Sequence, residues 1–316
     1  DGHPDFIPSD SLDILSYNPQ KIAVKISEEP THEEEYEEGR NNDTIINIFT
    51  ILESGPDEEE RYMQMILSIL SKCPETQKVN FFILDQPFIS DTLRKSCEYI
   101  NSSDEMRGNV IFLNYEWPQW LRPQRFSSRR RDVSRFLFLD VLLPQNISKV
   151  LYMSPTEVPL DPFDIFQFQG LKRAPLGLFR MSGDGYWKEG YWEKMLRENN
   201  LEFYSTEPAF LVNLERFREL DAGDKYRIHY QRISTDAMSL VNIGQDLVNN
   251  LQLEVPIRFL KGSYKKKLVI NDECVSEWKK KINKFASSPG DEDVPGESVS
   301  SKYQDSDNAA PLHDEL

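Results

Sequence analysis

The sequence predicts an α/β fold with crossover helices, and three observations carry that expectation. Short apolar runs rich in β-branched and aromatic residues recur at Thr44–Thr50, Val79–Leu84 and Val110–Leu113, as expected of buried parallel strands. Segments with helical spacing or helix-start signals separate them, giving strand, helix, strand, helix, strand. A further helix then feeds the apolar strand Val150–Met153, which runs directly into Ser154-Pro155-Thr156-Glu157. A buried strand that ends where polar residues begin is where α/β folds place a ligand crevice.

Before the first of these strands, residues 1–43 contain one candidate strand, Ile22–Ile26, and an acidic run, Glu28, Glu29, Glu33, Glu34, Glu35, Glu37 and Glu38. Such a run repels itself and reads as a solvated linker, with the strand as the end of a preceding β domain. The main domain is placed at 44–284. Asp57, Glu58 and Glu59 open a helix whose apolar positions are Tyr62, Met63, Met65, Ile66, Ile69 and Leu70, with carboxylates suited to its N-terminus. Ser90-Asp91-Thr92-Leu93 opens a second helix.

The third helix is expected across Asp132–Leu142. A turn and short helix follow at Leu160–Phe166 and a strand at Pro175–Phe179. Gly183–Trp192 reads as a loop dense in aromatics. Ala209–Val212 is a strand leading into a helix from Leu214; Ser239–Leu251 is a helix, and Val255–Leu260 a late strand. The tail, 285–316, is rich in Asp, Glu, Ser and Pro and reads as disordered.

Composition narrows the function. The chain has 37 basic and 53 acidic residues, a formal net charge of −16, which argues against nucleic acid as a partner. No apolar run reaches the roughly 18 residues needed to span a bilayer. Cys73, Cys97 and Cys274 form no metal-binding spacing and allow at most one disulfide. The last four residues, His313-Asp314-Glu315-Leu316, form an endoplasmic-reticulum retention signal, read by a receptor. Three sequons, at Asn42, Asn101 and Asn146, agree with a lumenal location and are each expected in a loop.

Several chemistries are excluded by missing motifs. No Gly-x-Gly-x-x-Gly follows the first strand, and there is no Gly-x-x-x-x-Gly-Lys-Ser/Thr, Gly-x-Ser-x-Gly or His-Glu-x-x-His. Of the four histidines, His3, His32, His229 and His313, only His229 falls in the main domain, so imidazole catalysis and zinc chemistry lack their residues.

The remaining constellations each have two readings. Asp184, Tyr186, Trp187, Tyr191 and Trp192 lie among glycines at 183, 185 and 190. They are candidates to line a sugar site, because aromatic faces pack on sugar C–H surfaces; the other reading is core or turn packing. Gln245 and Asp246 sit within an apolar pattern and need partners, either sugar hydroxyls or internal hydrogen bonds. The arginines from Arg122 to Arg135 either coordinate phosphate or form a solvated face. Lys261, Lys265, Lys266 and Lys267 form a second basic cluster.

Four segments together carry a resemblance: Trp117–Leu121, Phe136–Pro144, Asp184–Trp192 and Gln245–Asn250. In this order they resemble the catalytic domain of the UDP-glucose:glycoprotein glucosyltransferase family, glycosyltransferase family 24, from about Thr44 to Trp278. The resemblance implies a GT-A fold with a Rossmann-like central mixed sheet flanked by helices, and UDP-glucose as donor with a glycan or glycoprotein acceptor. It also implies retention of anomeric configuration. The family holds Mn²⁺ or Ca²⁺ through an Asp-x-Asp after the fourth strand; those places fall here on Ser154 and Thr156, and the first carboxylate of its Asp-Gln-Asp falls on Gly244. No metal ligand set is therefore assigned; Asp272 is named as the later carboxylate to examine and Glu157 as a shifted stand-in.

The resemblance gives Asp246 and Gln245 catalytic roles. In a transferase that has dropped its metal, Asp184, Tyr186, Trp187, Tyr191, Trp192, Arg135 and Lys261 are the residues expected at the donor. The departures are most similar to a divergent fungal branch of the family, the killer-toxin-resistance relatives required for cell-wall β-1,6-glucan. Three functions stay open: a transferase without the metal, a non-catalytic glycan- or partner-binding module, and an active folding sensor.

Overall fold

The computed structural model describes residues 45–123, 127–234 and 242–287. The Ile22–Ile26 strand, the acidic linker, the Asn42 sequon, residues 239–241 of the expected helix and the retention tail lie outside them. Among the described residues, eight strands form one sheet in the order β3-β2-β1-β4-β7-β5-β6, with β8 paired to β5. The strands β1 (Ile45–Thr50), β2 (Lys78–Leu84), β3 (Gly108–Leu113) and β4 (Lys149–Met153) are parallel. β7 (Ala209–Asn213) runs antiparallel between β4 and β5 (Leu176–Arg180). β6 (Tyr204–Ser205) is antiparallel to β5, and β8 (Ile257–Phe259) is parallel to it.

The period-2 alternation of strands separates two hydrophobic layers. Ile46, Ile48, Phe81, Ile83 and Leu151 face one side, with α1 (Pro56–Leu70), α2 (Asp91–Ser102) and α10 (Asp272–Ala286). Phe49, Phe82, Val150, Tyr152 and Phe210 face the other, with α3 (Ser127–Leu137), α8 (Ala222–Ile233) and α9 (Ile243–Asn250). Tyr152 stacks on Phe210 at 4.7 Å, and Phe210 stacks on Phe136 of α3 at 4.6 Å, so α3 is keyed to the middle of the sheet. The Ser90 hydroxyl caps α2 by accepting from Leu93 N at 3.1 Å. Asp161 caps α5 (Pro162–Phe166) in the same way.

Three expectations are corrected. The helix expected across Asp132–Leu142 begins earlier, at Ser127, and breaks at Phe138 before resuming as α4 (Leu139–Leu142). Buried Arg227 supplies the reason: it donates to Leu137 O at 2.6 Å and forks onto both carboxylate oxygens of Asp140 at 2.8 and 2.9 Å. The arginine thus takes up a helix-end carbonyl and anchors the next turn.

The aromatic segment is not all loop, for a 3-10 turn at Tyr186–Lys188 leads into α6 (Gly190–Asn199). Gly183 at φ +88 and Gly190 at φ +61 take left-handed conformations that favour glycine. Finally, Asn101 lies in the last turn of α2, not in a loop. Its side chain brackets Val110 of β3, donating to O at 3.0 Å and accepting from N at 2.6 Å.

Candidate functional site

The site grows from the carboxyl ends of β1 and β4. Thr50, the last residue of β1, donates its hydroxyl to Met153 O at 3.0 Å, locking the two strand ends together. Ser154 follows, and its backbone N–H donates to Pro208 O at 2.9 Å. Its hydroxyl donates to the Glu207 carboxylate.

The other oxygen of Glu207 accepts from Arg135. Arg135 is only 2% exposed and lies over the Tyr152 ring, 5.4 Å from its centroid. It also donates to Thr206 Oγ1 at 3.2 Å and to Asp132 O at 3.2 Å. Burial works against its charge, but Tyr152, Glu207 and Asp132 outweigh burial and hold its pKa above the usual arginine value. Arg131 is paired with Glu53 at 2.8 Å and Asp132 at 3.2 Å. These two arginines are therefore not a solvated face, whereas Arg129 and Arg130 are half-buried and exposed, respectively.

Thr206 connects this cluster to α9. Its backbone N–H and hydroxyl both donate to Gln245 Oε1, at 3.1 and 3.2 Å, and the Gln245 amide donates to Tyr204 O. One turn on, Asn249 brackets Tyr204, accepting from N at 2.7 Å and donating to O at 2.8 Å. Gln252 donates to Glu202 O at 2.9 Å. Gln245 thus takes the internal-hydrogen-bond reading, as part of a ladder that fixes β6.

Asp246 points to the aromatic segment. Tyr186 donates its hydroxyl to Asp246 Oδ1 at 2.6 Å, and Asn242 N donates to Oδ2 at 3.2 Å. Burial raises the Asp246 pKa, against those two hydrogen bonds. The same contact and desolvation push the Tyr186 hydroxyl far above its ordinary value. Tyr191, 61% exposed, donates to Asn250 Oδ1 at 3.2 Å. Trp187 stacks on Phe203 with centroids 5.4 Å apart, while Trp192 meets the same ring edge-on at 4.9 Å. Tyr186 meets the Phe203 ring edge-on at 5.9 Å and Tyr191 meets Trp192 at 5.4 Å, so the tyrosines flank a small aromatic core built by the two tryptophans on Phe203.

The remaining candidates are scattered. Asp184, with a side chain 98% exposed, pairs with Lys188 at 2.8 Å, which lowers its pKa. Lys261 is exposed beyond β8. Lys265 lies over the Phe179 ring and Lys266 pairs with Asp164 at 3.5 Å.

Asp272 and Glu157 line one cavity, of about 610 Å³, with Asp57, Glu60, Arg61 and Lys279. Yet among the described residues no group of three or more His, Cys, Asp or Glu side chains is arranged to hold a metal ion. Hydroxyls at 154 and 156 lack the charge a hard cation requires, and Ser154 is already engaged with Glu207. Gly244 offers no alternative: a Cβ there would lie 2.7 Å from both Cβ and O of Asp132. The residues present do not fit Mn²⁺ or Ca²⁺.

Sequence reasoning missed Glu207, Thr206 and Tyr204. One signal was available: Arg135 falls among Val133, Phe136 and Leu137, and an arginine inside a buried stretch demands an anion.

Comparisons with known proteins join this geometry to a family. The family model described as Glucosyltransferase 24 matches residues 46–288. The chain is 34% identical over 230 residues to UDP-glucose:glycoprotein glucosyltransferase 1 of Homo sapiens, covering 70% of this chain. It is 32% identical over 227 residues to the UDP-glucose:glycoprotein glucosyltransferase of Drosophila melanogaster, covering 68%. In each case the match spans 14% of the relative's length. Among solved structures, galactosyltransferase LgtC in complex with donor and acceptor sugar analogues aligns with a TM-score of 0.48 at 16% identity, over 78% of this chain and 98% of that one.

Proposed function

Because the chain belongs to the glucosyltransferase 24 family, we propose that it is a GT-A domain that handles UDP-glucose without a divalent metal. The observation that carries this reading is at the end of β4. Hydroxyls stand at Ser154 and Thr156, and the buried Arg135 lies against the same strand end through Glu207. In transfer, the bond from glucose C1 to the UDP oxygen breaks with its electron pair leaving on UDP, while an acceptor hydroxyl oxygen bonds C1 and gives up its proton. A cation fixed beside the departing diphosphate stabilises the charge that develops there, and Arg135 is the residue for it. Asp246, with Tyr186 as its partner, would hold the glucose hydroxyls; the acceptor is a glycan or glycoprotein.

The setting is the lumen of the endoplasmic reticulum, supported by His313–Leu316 and the sequons at Asn42 and Asn146. Among the described residues no helix is long and apolar enough to cross a membrane. The departures at Ser154, Thr156 and Gly244 support our reading of the domain as similar to the fungal branch that serves cell-wall β-1,6-glucan.

One observation favours a second reading, a non-catalytic module binding a glycan or a protein partner. Arg135 and Asp246 both have internal partners, which a catalytic site would have to exchange. Calorimetric titration with UDP and UDP-glucose separates the two. Binding in EDTA that is unchanged by Mn²⁺ or Ca²⁺ and abolished in Arg135→Gln supports metal-free donor handling. Metal-dependent binding overturns it, and no binding under any condition leaves the non-catalytic module.

A further inference from the structure

Arg135 and Arg131 share their surroundings with three carboxylates, Asp132, Glu53 and Glu207. The cluster is therefore formally negative by one charge, and an incoming diphosphate would meet repulsion. The carboxylates differ in how they are held. Asp132 belongs to α3 itself and serves both arginines, and Glu53 pairs with Arg131 alone. Glu207 arrives from the β6–β7 connection with its side chain 44% exposed. Its two oxygens are divided between two donors, the Arg135 guanidinium and the Ser154 hydroxyl. Two donors converging on the two oxygens of one anion is how a protein seats a carboxylate or phosphate, and the carboxylate seated here is itself partly exposed to solvent.

We infer that Glu207 is an intramolecular ligand of this seat, its carboxylate holding the place between Arg135 and Ser154 that an external diphosphate would otherwise take. The inference rests on the reading of this crevice as a donor site, and it makes displacement of Glu207 the step that precedes diphosphate binding. Removing the carboxylate leaves two cations facing two carboxylates and frees two buried or half-buried donors. A small anion supplied from solution then fills the gap.

The test uses the full chain carrying Glu207→Ala or Glu207→Gln. Thermal unfolding is followed in sodium formate and in sodium chloride at matched ionic strength, and inorganic pyrophosphate is titrated calorimetrically in EDTA. The expected result is a melting temperature of Glu207→Ala that formate raises and chloride does not, with the wild type indifferent to the exchange. Pyrophosphate should bind Glu207→Ala at least about tenfold more tightly than wild type, since one opposing charge has gone. Glu207→Gln, which keeps the side-chain shape and loses the charge, should show the pyrophosphate gain even if the alanine variant folds poorly. Unchanged pyrophosphate affinity in both variants, with no formate effect, would overturn the inference and make Glu207 an ordinary structural ion pair. Pyrophosphate binding without any UDP-glucose binding in the same variants would support the seat while sinking the donor reading of the crevice.

Discussion

The two sides of α9 are both covered with hydrogen bonds, yet they are built for different ends. One side carries Gln245 and Asn249, whose spacing of four puts them on one helical face, and Gln252 follows just past the helix end. Their partners include backbone groups of the buried Tyr204 in β6 and of Glu202 and Thr206 beside it. The other side carries Asp246 and Asn250, also four apart, and meets the hydroxyls of Tyr186 and Tyr191. Backbone partners in a strand cannot leave without unfolding the strand. Tyrosine hydroxyls on exposed rings can swing away and leave their acceptors to a ligand. The first side is therefore scaffold and the second is where exchange with a sugar is physically open.

The most severe way to break the scaffold side is Asn249→Ala. It strands the N–H of Tyr204 in buried surroundings and removes one of the two amide donors to its carbonyl, the other being Gln245, and an unmade buried hydrogen bond costs about 1–3 kcal/mol. A loss of about 3 kcal/mol is expected in chemical denaturation, and a variant as stable as wild type would contradict the scaffold assignment. Gly244→Ala should cost about 2 kcal/mol by overpacking α9 against Asp132, read as a lower melting temperature; wild-type stability would show that the two helices part freely.

On the exchange side, Tyr186→Phe should lower stability by about 1 kcal/mol, because one oxygen of the buried Asp246 loses its hydroxyl donor. Its effect belongs in calorimetry, as a changed UDP-glucose affinity. The smallest effect is a pH dependence. Burial raises the Asp246 pKa, so the folded state holds this proton more tightly than the unfolded chain, whose carboxylate titrates near 3.9. The cost of ionising Asp246 is absent below that unfolded value and complete above the raised folded one. The stability of wild type relative to Asp246→Asn should thus fall as pH rises through that window, and a rising difference would reverse the assignment.

What the sequence made legible follows from how local each signal is. The parallel strands β1, β2 and β4 announce themselves because burial on both faces makes their runs almost wholly apolar, while β3, at the sheet edge with only Val110 buried, is legible from its β-branched and aromatic run alone. α8 stayed hidden because its buried positions are Ala222, Gly223, Tyr226, Arg227 and Tyr230, which do not read as an apolar stripe. α10 was hidden by Lys279, Lys280 and Lys281 between Trp278 and Ile282. At the site, residue types were legible and pairings were not. Arg135 and Glu207 are 72 positions apart, and no spacing along the chain connects them. Gln245 and Asp246 are neighbours with opposite orientations, which only the helix phase against β6 resolves.

The rings around Phe203 have an optical consequence. Of five tryptophans, Trp187 and Trp192 share that one phenylalanine, while Trp117 lies against Phe138 and Tyr230, Trp120 is exposed, and Trp278 donates to Glu105. Trp187 is next in sequence to Tyr186 and meets its ring edge-on at 5.7 Å, so a swing of Tyr186 away from Asp246 alters the polarity around an intrinsic fluorophore. Emission that shifts on adding a ligand in wild type, and stays fixed in Trp187→Phe, would report the state of the Asp246 partner without any label attached.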